Sequence, residues 1–191
     1  MAYQIDVITP VEVEPVTLEE VKNFMRIDED YTADDPTIEV MITAARELLE
    51  KETGLALAET ELLLKGWDGC KIILPYGPNQ VLVDVKKGED IEENYTFNSY
   101  TGSIYINSSG NDTSVFYDFN GLVELDFYPT ETSDDYSVQY TCGYETLPAA
   151  LKQAIMVQVD YMYKNTGIDG MGVMSPLALL VANKYSKNLI L

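Results

Sequence analysis

The apolar positions of this chain switch from a helical period to a strand period and back again. From Pro36 to Gly54, in PTIEVMITAARELLEKETG, Ile38, Met41, Ile42, Ala45, Leu48 and Leu49 recur at the spacing of one helical face. Asp35 can cap the first turn, Pro36 fits the first helical position, and Gly54 fits a left-handed stop. A shorter helix is expected over TLEEVKNFMRI. Thr17 and Glu20 form a capping box there, Val16 and Val21 can staple its entry, and Leu18, Val21, Phe24 and Met25 give an apolar face. Near the other end, PAALKQAIMVQVDYMYKN places Leu151, Ala154, Ile155, Val159 and Met162 on one face, with Pro148 in the first turn. A loose connector with Gly167, Gly170 and Gly172 leads to SPLALLVANKYS. Ser175 and Pro176 start this last helix, and Leu177, Leu180 and Val181 repeat at helical spacing.

Between Leu62 and Tyr144 the period is that of strands. Leu62 and Leu64 fit one strand face; KIILPYGP reads as a strand ending in a Pro-Tyr-Gly-Pro turn; Val81, Val83 and Val85 share a face until Gly88. TFNSY and SIYIN form a hairpin turning at Thr101–Gly102, and SVFYDF–NG–LVELDF carries the Asn-Gly signal of a type I′ turn. Tyr136 to Tyr140 is the last strand. The pattern predicts an α+β fold: a mainly helical platform of about four helices with an inserted antiparallel β module. The boundaries are an N-terminal arm or edge strand over 1–16, a platform over 17–58 and 146–191, and the β module over 59–145.

Composition narrows the function. The chain has 191 residues, 46% apolar and 23% charged, and no apolar run long enough to span a membrane. Its start, MAYQIDVITP, lacks the basic and apolar regions of a signal peptide, so Cys70 and Cys142 are expected reduced in a cytosolic setting. The net charge of −20 is uneven. Residues 1–60 and 61–145 each hold 15 acids and 4 bases, whereas 146–191 hold 2 acids and 4 bases. Such a body repels duplex DNA; it serves solubility, or a surface that DNA must pass without sticking.

Candidate chemistry is thin. With no histidine, His-based triads and His-ligated metal sites are excluded, and no P-loop or G-x-G-x-x-G occurs. With 32 acids, carboxylate pairs spaced for glycoside hydrolysis arise by chance. The acidic turn Asp28 to Asp35 can be written as a calcium loop with Asp28, Asp30, Thr32, Asp34 and Glu39. However, Ala33 stands where that loop needs glycine, and Pro36 intrudes. A solvated helix–helix turn with N-cap carboxylates is the favoured reading, and no metal, cofactor or catalytic residue is assigned. Tyrosines along the β module read as cross-strand pairs; base-stacking platforms would need Lys and Arg beside them. The apolar end Asn188-Leu189-Ile190-Leu191 suits docking on a partner or on the chain's own core.

Five stretches, in this order, resemble the head–tail connector (adaptor, head-completion) proteins of long-tailed bacteriophages and prophages. They are TLEEVKNFMRIDED, TIEVMITAARELLEKETGLAL, ILPYGPNQVLVDV, VQYTCGYETLPAALKQAIMVQVDYMYKN and SPLALLVANKYS. The resemblance implies a structural virion protein, not an enzyme, forming a homo-oligomeric ring, typically dodecameric, beneath the portal. Such a ring joins head to tail and extends the DNA channel after packaging. Its implied partners are the portal protein and the next neck or tail-completion protein, with DNA passing unbound and no membrane involved. It implies the head–tail junction of the virion as location, and the host cytoplasm during assembly. Portal docking maps to Lys184, Tyr185, Lys187, Leu189, Ile190 and Leu191, although the Pro-Tyr-Arg-like turn of relatives is replaced here by Asn183–Lys184–Tyr185–Ser186. Asn107 to Ser114 reads as a mobile loop projecting into the channel or towards the tail. Val40 and Ala44, off the main stripe of the long helix, can face a neighbouring subunit or be buried within their own. The alternatives are another neck or tail-completion protein, or a packaging-associated nucleic-acid-binding protein, which would need a basic face.

Overall fold

In a computed structural model, the structure describes residues 3–99, 101–106, 136–165 and 173–186, together with the backbone of 113–117 and 123–127. Contacts divide the chain into two compact units, Met1–Pro10 with Thr60–Cys142 and Val11–Glu59 with Gly143–Leu191. The fold is α+β, with four helices among the described residues and antiparallel sheets.

The helical unit holds α1 (Leu18–Met25), α2 (Asp35–Thr53), α3 (Ala149–Lys164) and α4 (Pro176–Tyr185). Thr17 caps α1 with both arms of the capping box, and Arg26 ends it in the left-handed region. Gly54 ends α2 the same way, its N–H donating to the Glu50 carbonyl at 2.9 Å. Ile38, Met41, Ile42, Ala45 and Leu49 of α2 and Leu151, Ala154, Ile155, Val159 and Met162 of α3 are buried in one hydrophobic core with Val16, Val21, Leu55, Leu57, Ala178 and Ala182. Leu48 is half-buried against it.

Three expectations shift here. The residue before α2 is Asp34 rather than Asp35; it makes no side-chain cap, because its carboxylate instead accepts the Tyr163 hydroxyl at 2.6 Å. Pro148 lies just outside α3, at the cap position. Phe24 is exposed, whereas Lys22 on the same helix is buried.

The sheet unit has a five-stranded antiparallel sheet in the order β1-β2-β10-β4-β5. Its strands are β1 (Gln4–Thr9), β2 (Thr60–Trp67), β4 (Val81–Lys87), β5 (Asp90–Ile91) and β10 (Tyr136–Cys142). A smaller sheet runs β3 (Ile72–Ile73), β7 (Ser103–Ile106), β6 (Tyr95–Asn98), and β8 (Thr113–Tyr117) pairs with β9 (Val123–Phe127). Within residues 1–16, Gln4–Thr9 hydrogen-bonds to β2 as an edge strand, and Val16 enters the helical core.

The valines of β4 do not share a buried face. The register with β10 shifts between Gln139 and Tyr140, Asp84 and Leu82 take the two flanking partners, and Val83 is the extra residue. A bulge reverses the parity of everything beyond it, so Val85 is buried while Val81 and Val83 are exposed. The β6–β7 turn spans four residues, since Asn98 pairs with Ser103; Gly102 occupies its last position at φ 69°. The β8–β9 pairing is antiparallel, and its Asn-Gly turn lies outside the described residues. So do Asn107 to Asp112 of the expected loop, while Thr113 and Ser114 already belong to β8.

Tyr136 and Tyr140 are core residues. Tyr136 packs edge-on against Trp67, its cross-strand partner, at 5.8 Å, with the Lys87 ammonium 5.4 Å from its ring centre. The Tyr140 hydroxyl donates to the Pro75 carbonyl at 3.1 Å, and burial raises its pKa strongly.

Candidate assembly surface and buried polar clusters

The acidic turn between α1 and α2 already contains a cation. Lys22 Nζ donates to the carbonyls of Glu29 at 3.0 Å and Tyr31 at 2.7 Å, and lies 3.0 Å from Asp35 Oδ1. The Asp28 carboxylate caps its own turn by accepting the Asp30 N–H at 3.1 Å. An ammonium that donates to two carbonyls and is ion-paired with the Asp35 carboxylate supplies the positive charge that a bound ion would bring. Among the described residues no three His, Cys, Asp or Glu side chains gather where they could hold a metal.

A second charged cluster sits on α2. Arg46 is buried, with Nε 2.9 Å from Glu14 Oε2 and Nη1 2.6 Å from Glu50 Oε2; Glu14 also accepts from Thr43. Glu50 Oε1 accepts the Leu57 N–H at 2.9 Å, which ties the segment after α2 back onto the helix. Burial raises the Glu50 pKa against the opposing pull of Leu57 and Arg46. Gln158, fully buried in α3, donates to the Val173 carbonyl and accepts the Ser175 N–H, fixing the residues that enter α4. The periodicity could have shown Arg46, which stands in the buried stripe one turn before Glu50. Lys22 and Gln158 carry no such mark, because their partners are backbone groups of loops.

Cys70 and Cys142 are not joined in a disulfide. Burial and the neighbouring Asp68 carboxylate push the Cys70 thiol up, away from the reactive thiolate.

The last helix departs furthest from its reading. Ala178 and Ala182, not the leucines, make its core contact, with Val181 and Tyr185 half-buried beside them. Leu177 and Leu180 are each 54% exposed. With Pro176, Leu179, Asn183 and Lys184 they cover one side of α4, over a shallow depression of about 460 Å³ lined by Pro176, Leu179, Leu180, Asn183 and Lys184. Of the residues mapped for portal docking, Lys184 is exposed in the last turn of α4, and Tyr185 turns inward, close enough to Tyr144 to help burial raise that phenol's pKa. Lys187, Leu189, Ile190 and Leu191 lie outside the described residues.

Among the described residues, then, the buried ions are held by loops and carboxylates, and a leucine-rich face of α4 is left bare. The chain belongs to the head completion protein family, whose sequence profile matches residues 14–170. No curated protein matches it. Its fold is similar to chains of three solved particles, each 16% identical, with 98% of this chain and 97% of the other covered. They come from the neck of an empty gene transfer agent (GTA) particle in C6 symmetry (TM-score 0.67), the virion of a native GTA particle (0.69), and the neck of a native GTA particle in C12 symmetry (0.66).

Proposed function

We propose that this chain is a structural, non-catalytic component of the neck of a phage-like particle. It forms a ring at the head–tail junction, twelve copies in the virion, beneath the portal. The ring extends the DNA channel after packaging and receives the next neck or tail-completion protein. The observation that carries this reading is the family match over residues 14–170. The C6 and C12 symmetries of the similar necks support the ring. The charge of −20 suits a channel past which DNA slides without specific binding. Portal docking falls to the C-terminal segment from Lys184 and Tyr185 through Lys187, Leu189, Ile190 and Leu191, which leaves the acidic body free of it. Assembly takes place in the host cytoplasm.

The test is capture by purified portal. The full chain is expected to bind the portal as a ring visible in negative stain, and a variant ending at Ser186 is expected to lose capture while keeping its own self-association. A chain that binds no portal, and remains a compact dimer in its presence, sinks the reading.

A further inference from the structure

We infer that the ring is closed by α4 of one subunit packing on α2 of the next; this rests on the neck-ring reading above. Two bare helix faces in the helical unit carry it. On α4 the exposed side presents Leu177, Leu180 and Lys184 in successive turns. On α2 the outer side presents Val40, 63% exposed, and Glu47, 66% exposed, with Ala44 between them half-buried at the edge of the subunit's own core. Lys184 follows Leu177, and Glu47 follows Val40, by seven positions, about 10 Å along a helix. Aligned in parallel, Leu177 meets Val40, Leu180 meets Ala44, and Lys184 meets Glu47, so apolar faces apolar and basic faces acidic.

The exposure of both faces in one subunit and their opposite charges, Lys184 on one and Glu47 on the other, select a second copy as the occupant. Both α2 and α4 bury their inner sides in the same core, Ile38, Met41, Ala45 and Leu49 on one and Ala178 and Ala182 on the other. Leu177, Leu180 and Val40 all remain exposed in the subunit, so the two faces do not cover each other within it. Two different, complementary faces of one body make a head-to-tail contact, the kind that closes into rings. Glu47 is available, its nearest cation being Arg46 at 3.8 Å, which is already held by Glu14 and Glu50. Lys184 stands at the corner where this contact would meet the portal contact of the C-terminal segment.

The experiment is cross-linking between pools, in a Cys70→Ser background, on the purified full chain and on particles assembled with the portal. One pool carries Leu177→Cys and the other Val40→Cys. Links between the two pools, with no Leu177–Leu177 or Val40–Val40 links, are expected, and the double variant should give a ladder ending in a closed ring. Lys184→Glu should raise the concentration for half-assembly roughly tenfold or more, and adding Glu47→Lys should restore it. Rings or particles that incorporate the chain without the Leu177–Val40 link, or a charge swap that fails to rescue, overturn this interface while the ring stands. Absence of self-association both free and on the portal overturns the ring and the interface together. Leu180→Asp is a second variant, since a side chain already in solvent can change without loss of helix content; normal assembly by a folded Leu180→Asp protein also overturns the interface.

Discussion

Each unit buries both neutral and charged side chains, Gln158 beside Lys22 and Arg46 in the helical unit and Gln80 beside Asp68 in the sheet unit, but buried cations occur only in the first among the described residues. In the helical unit the buried polar groups include two cations, each neutralised by carboxylates: Lys22 on the Glu29–Asp35 turn, Arg46 by Glu14 and, one turn along α2, Glu50. In the sheet unit the corresponding joint is neutral. Gln80 donates to the carbonyls of Leu74 and Pro75, and Tyr140 from the central strand donates to Pro75 as well. The difference follows from what each must hold. Lys22 gathers two loop carbonyls beside a carboxylate and Arg46 gathers two carboxylates, whereas the turn at Leu74 and Pro75 needs one or two donors of fixed direction. Charged joints cost more when broken, because an ion left behind in the interior keeps its full desolvation penalty.

Arg46→Met should therefore have the largest effect, about 3–5 kcal/mol of lost stability, by leaving Glu50 and Glu14 without their cation. Urea unfolding measures it, and adding Glu50→Gln should recover part of the loss. A loss no greater than that of a surface substitution would remove the distinction between the two units. Lys22→Met comes next, at about 1.5–3 kcal/mol, since hydrogen bonds from a charged donor are the stronger kind. Calcium should leave the melting temperature of the natural protein unchanged, because the Lys22 ammonium supplies the positive charge an ion would bring. A rise of several degrees with calcium would break that account. Gln80→Leu in the sheet unit should cost about 1–2 kcal/mol, less than either cation, as Pro75 retains the Tyr140 hydroxyl.

The same comparison explains what the amino-acid pattern could convey. α2 and α3 were legible residue by residue, because a helix buries one stripe and Ile38 through Leu49 or Leu151 through Met162 write that stripe locally. β4 was not: one bulge at Val83 reverses its faces, and nothing in VLVDV marks the bulge. Nor does local pattern reveal that β10 inserts between β2 and β4, pairing residues as distant in the chain as Cys142 and Thr60. α4 misled for a different reason. Large apolar residues dominate any reading of periodicity, but a helix that packs closely selects alanine, so Ala178 and Ala182 went inward and the leucines outward. The misread face became the candidate interface, and the resemblance, carried by the order of whole segments, was untouched by these local reversals.

The smallest expected effect separates surface from interior charge within the helical unit itself. The Lys152 ammonium, and after it the Thr17 N–H, holds the Glu20 carboxyl below its ordinary 4.5. Its stabilisation is thus complete above 4.5 and lost as pH falls through the depressed value. Glu50 has the reverse sign: burial raises it above 4.5, so its ionised form costs stability at neutral pH, and that cost is relieved as pH falls through the raised value towards 4.5. Stability measured by urea midpoint against pH should rise slightly just above 4.5 and then fall below it. Glu20→Gln should cost only about 0.2–1 kcal/mol at neutral pH, as expected of a partly exposed pair, and should merge with the natural protein in acid. Glu50→Gln should flatten the rise and leave the acid fall intact. If the Glu20→Gln difference persists undiminished in acid, the contact acts through helix geometry and not through charge, and the surface pair must be counted with the neutral caps.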